Sequence, residues 1–131
     1  MTSFPYRPIR IRRVGIHWRP FTTAVLSYKD KLVELDFLVD SGADFTVVPK
    51  SVGEQLGFET PTKSVDHFMG AGGGVVPYVL KRVRLQIGEI PIIGRIAWAL
   101  EEVTPVLGRL DVFDQLSVSF DRQRKRVIFK R

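Results

Sequence analysis

The stretch Phe37-Leu38-Val39-Asp40-Ser41-Gly42-Ala43-Asp44-Phe45-Thr46-Val47-Val48-Pro49 decides the fold of this chain. An apolar run ends at a carboxylate, a hydroxyl residue and a glycine, and a second apolar run follows at once. Continuous apolar residues before Asp40 predict a strand that is buried on both faces. Asp40 is therefore the first candidate for a catalytic side chain, although the tripeptide alone is equally typical of an Asx turn between two strands.

The length and composition favour one domain spanning residues 1–131. The chain contains no cysteine, which excludes disulfides, thiol catalysis and thiolate metal sites. The N-terminal residues show no apolar run typical of a signal peptide, and the most apolar later stretch, 90–100, is interrupted by Pro91, Gly94 and Arg95. We therefore expect a cytoplasmic protein that has no membrane partner.

The formal net charge of +6 comes from basic residues at both ends of the chain. The clustered residues are Arg7, Arg10, Arg12, Arg13, Arg122, Arg124, Lys125, Arg126, Lys130 and Arg131. Such clusters can attract nucleic acid, but no recognised motif accompanies them. Trp18 and Trp98 are expected to be packing residues rather than a platform on which bases stack. A solvated surface around two terminal strands is therefore favoured over a nucleic-acid partner, which stays possible.

Strand patterns dominate the chain and predict an all-β fold with one or two short helices. The predicted strands cover residues 9–14, 21–28, 32–39, 64–69, 75–87, 95–100, 106–108, 117–120 and 127–129. One helix is expected after Pro49, where Ser51 and Glu54 have the spacing of a capping box and Gly57 supplies a stop. A second helix is expected over 110–116. Many short strands with few helices favour a closed β-barrel.

A carboxylate pair is the chemistry that these residues support best. Water can hydrolyse a peptide bond when one carboxylate accepts its proton and a second acid protonates the substrate. Two carboxyl groups about 3 Å apart cannot both ionise, so they share one proton. The chain supplies one candidate, Asp40, and a two-fold symmetric dimer would bring it against its copy.

Three elements, in this order, make the chain resemble the retropepsin-like aspartic proteases, the single-domain homodimeric relatives of pepsin. The first is the apolar-Asp-Ser-Gly-Ala loop quoted above. The second is a glycine-rich tip at 70–74, where the family has its flap. The third is Val106-Leu107-Gly108-Arg109, similar to the family's apolar-apolar-Gly-Arg element. The likeness covers roughly residues 9–130 and implies a closed acid-protease barrel with a flap hairpin.

The resemblance implies a role for each matching residue of the active loop. Asp40 would be the catalytic carboxylate, and Ser41 would form a hydrogen bond across the dimer axis. Gly42 would allow the backbone to approach the carboxylate and the substrate closely, as a residue without Cβ can. Ala43 and Gly108 would support the loop, with Gly108 packed behind it.

Substrate contacts are implied at a second set of residues. Asp44 would touch the substrate backbone and form an ion pair with Arg109. The remaining contacts would come from the flap and the third element, at Gly70, Ala71, Gly72, Gly73, Val106 and Leu107. Val106 and Leu107 are equally compatible with the core. The flap would also present apolar side chains at Phe68, Met69, Val75 and Val76.

The resemblance therefore predicts a homodimeric aspartic endopeptidase that acts on polypeptides without a metal or organic cofactor. Isolated His17 and His67 have no companions at metal-ligand spacing. In retroviral members both termini interleave into a dimer sheet, and strands near 9–14 and 127–129 could do the same here. Arginine-rich ends would oppose that arrangement. The alternatives are a silent or dormant peptide-binding module of the same fold, or a nucleic-acid-associated protein that uses its basic termini.

Overall fold

A computed structural model of the protein describes residues 1–70 and 72–131. The chain forms short strands joined by tight turns, with one α-helix and one 3₁₀ helix among the described residues. The strands are β1 (Thr2–Pro5), β2 (Arg7–Ile11), β3 (Gly15–Arg19), β4 (Phe21–Tyr28), β5 (Lys31–Val39), β6 (Val47–Val48), β7 (Asp66–Met69), β8 (Val75–Ile87), β9 (Ile90–Ala99), β10 (Val106–Leu107), β11 (Ser117–Asp121) and β12 (Arg126–Lys130). The helices are α1 (Lys50–Gln55) and a 3₁₀ helix at Phe113–Gln115.

Six strands close into a barrel in the order β4-β5-β10-β6-β9-β8, because β8 also pairs with β4. Strand β7 extends the sheet beyond β8. Residues of β4 alternate between buried and half-buried positions, so one face of the strand fills the interior. The fully buried side chains include Leu26, Phe37, Leu85, Ile92 and Trp98. The all-β closed barrel predicted from the sequence is confirmed.

The two ends of the chain meet in a separate three-stranded sheet, ordered β1-β12-β11. Both edges of β12 are thus occupied within one chain, so this strand offers no free edge for pairing with a second copy. Strands β2 and β3 form their own hairpin. The bounds predicted for the strand over 9–14 are wrong, because β2 ends at Ile11. The last residues of the predicted strand form the hairpin turn, where Arg13 has a φ of 69°.

Helix α1 lies where the sequence predicted it, but the predicted capping box is absent. Pro49 is the N-cap residue and no side chain of the helix caps it. The carboxylate of Glu102, from a distant connector, accepts hydrogen bonds from the Ser51 amide at 2.8 Å and the Ser51 hydroxyl at 2.6 Å. A tertiary contact thus satisfies an N–H group that the helix leaves free. Within the described part of the chain, no helix is long and apolar enough to cross a membrane.

Asp111 explains two further differences from the sequence predictions. Its backbone has a φ of 61°, which an α-helix cannot accommodate, so the segment 110–116 forms a turn and the short 3₁₀ helix instead. Its side chain packs over Gly94, where an added Cβ would lie 2.7 Å from the Asp111 Cβ. Gly94 lies inside the continuous strand β9, whereas the sequence predicted a strand that begins only at residue 95.

Candidate active site

Two parallel strands place Asp40 at the centre of the candidate site. Leu38 and Val39 of β5 pair in parallel with Val106 and Leu107 of β10. The carboxyl ends of parallel strands lie side by side, so the loops that follow them meet. The Asp40 amide continues the ladder by donating to the carbonyl of Leu107 at 3.0 Å. Backbone pairing on a rigid sheet thus holds the position of Asp40.

The turn after β5 holds the Asp40 carboxylate in place. The Gly42 amide donates to Asp40 Oδ1 at 2.9 Å, and the Ala43 amide donates to the Asp40 carbonyl at 3.2 Å. A Cβ on Gly42 would lie 3.2 Å from Asp40 Oδ1, so glycine provides room for this close approach. Asp40 is half-buried, while Ser41 and Gly42 are exposed. The carboxylate therefore keeps one face open to an incoming group.

A buried contact behind the loop joins two segments of the site, residues 40–46 and 106–109. The Gly108 amide donates to Thr46 Oγ1 at 3.0 Å, and both residues are buried. A Cβ on Gly108 would lie 2.2 Å from the Phe45 carbonyl oxygen and 2.8 Å from the Ala43 carbonyl oxygen. Only glycine allows the strands to cross at this separation. The structure thus places Gly108 directly against the backbone of the loop that carries Asp40.

Asp44 and Arg109 form an ion pair on the surface of the same crossing. Their side chains are 75% and 55% exposed in the single chain. An exposed pair of this kind contributes about 0–1 kcal/mol to stability. Two backbone hydrogen bonds at 2.9 Å, from the Arg109 amide to Ala43 and from the Leu110 amide to Asp44, tie the same segments together. Backbone pairing, more than the ion pair, therefore orients the loop.

Asp40 opens onto a cleft of about 620 Å³. Most of its lining is apolar and comes from Phe45, Val47, Phe68, Met69, Val76, Val103 and Val106. Tyr78 packs behind this wall, with its ring centroid 5.5 Å from that of Phe45 and 5.2 Å from that of Phe68. Burial raises the pKa of the Tyr78 phenol, and the nearby Asp66 charge raises it further. The wall therefore stays uncharged at neutral pH.

The glycine-rich hairpin between β7 and β8 borders this cleft. The Gly70 amide donates to the Gly74 carbonyl at 2.6 Å, and Gly73 has a φ of 84°, which favours glycine. Phe68 pairs with Val76, and Gly70 and Met69 also line the cleft. Gly72 and Gly73 are exposed at the tip, away from the cleft lining. Ala71, named with them in the sequence prediction, lies outside the described residues.

Leu107 lies elsewhere than the substrate contact expected of it. Its side chain is fully buried in the barrel core, whereas its neighbour Val106 lines the cleft. Successive residues of a strand point to opposite faces, so only one of the two can face a substrate. Four further residues line the cleft without having been predicted to do so, namely Phe45, Val47, Val103 and Thr104. Phe45 directly follows Asp44 in the motif, but nothing in the local sequence of 103–104 indicates their position.

Among residues 1–70 and 72–131, no group of three or more His, Cys, Asp or Glu side chains is arranged to hold a metal ion. His17 and His67 are both exposed and lie on different hairpins.

Residues 25–111, more than half of the chain, match the family model for aspartyl proteases. The chain belongs to this family, and its fold is retropepsin-like. It superposes on a retropepsin-like aspartic protease from Rickettsia conorii with a TM-score of 0.63 and 17% identity, covering 97% of this chain and 98% of that chain. The EIAV protease in complex with the inhibitor HBY-793 gives a TM-score of 0.58 and 21% identity, covering 82% of this chain and 93% of that chain. No curated protein sequence matches this chain significantly.

Proposed function

We propose that this chain is a single-domain aspartic endopeptidase, active as a homodimer in which each protomer supplies Asp40. The observation that carries the proposal is the position of this carboxylate. It lies at the crossing of two parallel strands, half-buried, with one oxygen held by the Gly42 amide and an open cleft in front of it. Family membership supports the same reaction class.

One carboxylate alone cannot act as base and acid at the same time. The second carboxylate in the cleft, that of Asp44, is engaged by Arg109. A second Asp40 is therefore the simplest source of the missing group. In the proposed reaction, one Asp40 accepts a proton from water as the water attacks the peptide carbonyl, and the protonated partner donates to the substrate. Collapse of the intermediate breaks the C–N bond and releases a carboxylic acid and an amine.

The exposed face of the active loop is the surface through which the two copies would meet. Ser41, Gly42, Asp44 and Arg109 are all exposed around Asp40 in the single chain. A hydroxyl at Ser41 on this face suits the cross-axis hydrogen bond that the resemblance implies. Because β12 has no free edge, the C-terminal strand is not the proposed contact, and the dimer would form through the loop face.

The proposed substrate is an extended polypeptide with apolar side chains next to the cleaved bond. The cleft wall of Phe45, Val47, Phe68, Val76 and Val106 offers apolar surface on either side of Asp40. The glycine-rich hairpin would act as a flap, and its backbone would pair with the peptide as an added strand. Asp44 lies at the rim of the cleft, where its carboxylate would accept a hydrogen bond from a substrate amide.

The test is cleavage of a diverse peptide mixture, followed by mass spectrometry at acidic and neutral pH and at several protein concentrations. Asp40→Asn should abolish cleavage because the amide can neither accept the proton nor share one. Asp30→Asn, which removes a carboxylate from the exposed β4–β5 turn, is the matched control and should keep full activity. Undiminished cleavage by Asp40→Asn would refute the assignment of Asp40.

Mixing the proteins tests the dimer separately. When wild type and an equal amount of Asp40→Asn are unfolded together and refolded as a mixture, random pairing leaves about a quarter of the dimers with two Asp40 residues. Activity per total protein should fall to about that quarter, whereas independent monomers would retain about half. Wild type mixed with Asp30→Asn should lose nothing. A retained half would contradict the shared site while leaving Asp40 as the catalytic residue.

A further inference from the structure

The charges of this chain are strongly segregated along the sequence. All 14 acidic residues lie between Asp30 and Asp121, whereas 12 of the 20 basic residues lie outside that range. The fold brings the two basic ends together, because β1 pairs with β12 and the Tyr6 amide donates to the Lys125 carbonyl at 2.7 Å. We call residues 1–19 and 122–131 the basic lobe; it contains 11 basic residues and no acidic residue.

A cleft of about 500 Å³ lies in the basic lobe, between the β2–β3 hairpin and the β11–β12 turn. Its lining includes the rings of Tyr6, His17 and Trp18 and the cationic side chains of Arg122 and Lys125. Trp18 is 42% exposed, whereas Trp98 is 2% exposed in the core. Trp98 is thus a core packing residue, whereas the indole of Trp18 is available at the surface. Lys125 Nζ lies 5.3 Å from the centroid of the Trp18 ring, so cation and indole already share one face of the cleft.

The positive charge of this cleft is poorly compensated. Asp121 is the nearby carboxylate, and it accepts hydrogen bonds from the Arg124 amide at 3.0 Å and the Arg124 guanidinium at 3.4 Å. Across residues 1–70 and 72–131, neither Arg122 nor Lys125 takes part in an ion pair. The cleft therefore presents cationic side chains that form no ion pair beside an exposed indole. Proteins that bind single-stranded nucleic acids use this combination of positive charge and an aromatic ring.

We propose that the basic lobe binds single-stranded nucleic acid, with a base stacked on Trp18 and phosphates contacted by Arg122 and Lys125. An acidic peptide would satisfy the cations, but its carboxylate side chains offer no aromatic ring to stack on the indole. An anionic membrane would meet a protruding surface, whereas these rings lie in a concavity between two hairpins. The site is separate from the Asp40 cleft in its lining residues, so it does not depend on the proteolytic function.

Trp18 supplies the first test, because Trp18 and Trp98 are the two tryptophans and Trp98 is buried. Titration of the full chain with a 12-nucleotide oligo(dT) or oligo(U) should quench the exposed tryptophan emission. Anisotropy of the labelled oligonucleotide should show Trp18→Ala binding about 5- to 100-fold more weakly than wild type, with Trp18→Phe in between. Circular dichroism checks that each variant is folded.

Charge is tested by the double variant Arg122→Gln/Lys125→Gln. It should reduce the slope of log affinity against log salt by about two, because each phosphate that is no longer neutralised lowers that slope by about one. Lys31→Gln/Arg84→Gln removes the same charge from the barrel and is the matched control, which should bind almost as wild type. If both double variants reduced the salt slope and the affinity equally, binding would be only non-specific electrostatic attraction, and the proposed site would be refuted.

Two competing ligands complete the experiment. Poly-glutamate that binds as tightly as the oligonucleotide, with no effect of Trp18→Ala, would assign the lobe to acidic protein segments and refute the proposal. Vesicles of phosphatidylserine and phosphatidylcholine that bind while both oligonucleotides do not would assign it to a membrane surface, with the same consequence. Asp40→Asn should bind the oligonucleotide as wild type does, whatever its proteolytic activity.

Discussion

Replacing Gly108 with alanine tests how the active loop is held. The new Cβ would lie 2.2 Å from the Phe45 carbonyl oxygen and 2.5 Å from its carbon, whereas ordinary contact begins at 3.4 Å. These atoms belong to the backbone, so the loop carrying Asp40 must move by about 1 Å and no side chain can rotate away. The movement strains three hydrogen bonds: Gly108 to Thr46, Arg109 to Ala43 and Leu110 to Asp44.

The expected destabilisation follows from these interactions. Overpacking costs about 1–3 kcal/mol, and each hydrogen bond weakened or broken costs about 1 kcal/mol. Gly108→Ala should therefore lower the free energy of unfolding by about 4–6 kcal/mol, a large part of the stability of a domain this size. At temperatures where the variant stays folded, any cleavage activity per folded molecule should still be lower than that of wild type, because the Asp40 carboxylate moves with the loop.

Urea unfolding followed by the fluorescence of the buried Trp98 measures this change. Gly74→Ala is the matched control, because nothing lies within 4 Å of the Cβ position there and its φ is not positive. The control should unfold within about 0.5 kcal/mol of wild type. If Gly108→Ala did the same, the close crossing of β10 and the active loop would not be a constraint on this fold.

Two further changes probe interactions away from the cleft. Gly53→Ala would place a Cβ 2.0 Å from Trp98 Nε1 and break its 3.1 Å hydrogen bond to the Lys50 carbonyl, so thermal unfolding should shift down by several degrees; an unchanged Tm would contradict this. Hydrogen bonds from Arg95 hold the pKa of the Asp111 carboxyl below its usual value. The ionised carboxylate therefore stabilises the folded state fully at pH values above its unfolded pKa, which is near 4. This stabilisation is lost as the pH falls through the lower pKa of the folded state. Asp111→Asn should therefore be less stable than wild type at pH 7 and should approach it in acid; a gap that is constant with pH would refute the linkage.

Local patterns in the sequence predicted the parts of this fold that neighbouring residues control. The apolar run ending at Asp40 predicted the buried strand β5, and Lys29-Asp30-Lys31 predicted its hairpin with β4. The glycines at 70–74 predicted the hairpin tip, and Gly57 predicted the end of α1. Each of these features depends on side-chain alternation or on backbone conformations open to glycine, which are properties of short segments.

Tertiary structure decided which distant groups complete those segments. Thr46 meets Gly108, Ser51 meets Glu102, and the ends of the chain pair as β1 and β12, although dozens of residues separate the partners. The exposure of Trp18 was decided in the same way, because its indole lies beside Lys125 of the β11–β12 turn and not in the barrel core. Apolar periodicity predicts whether a side chain is buried or exposed, but it does not predict which residues pack against that side chain. Closure of the barrel and pairing of the termini bring those residues together. The candidate cleft and the basic lobe are therefore properties of the tertiary structure.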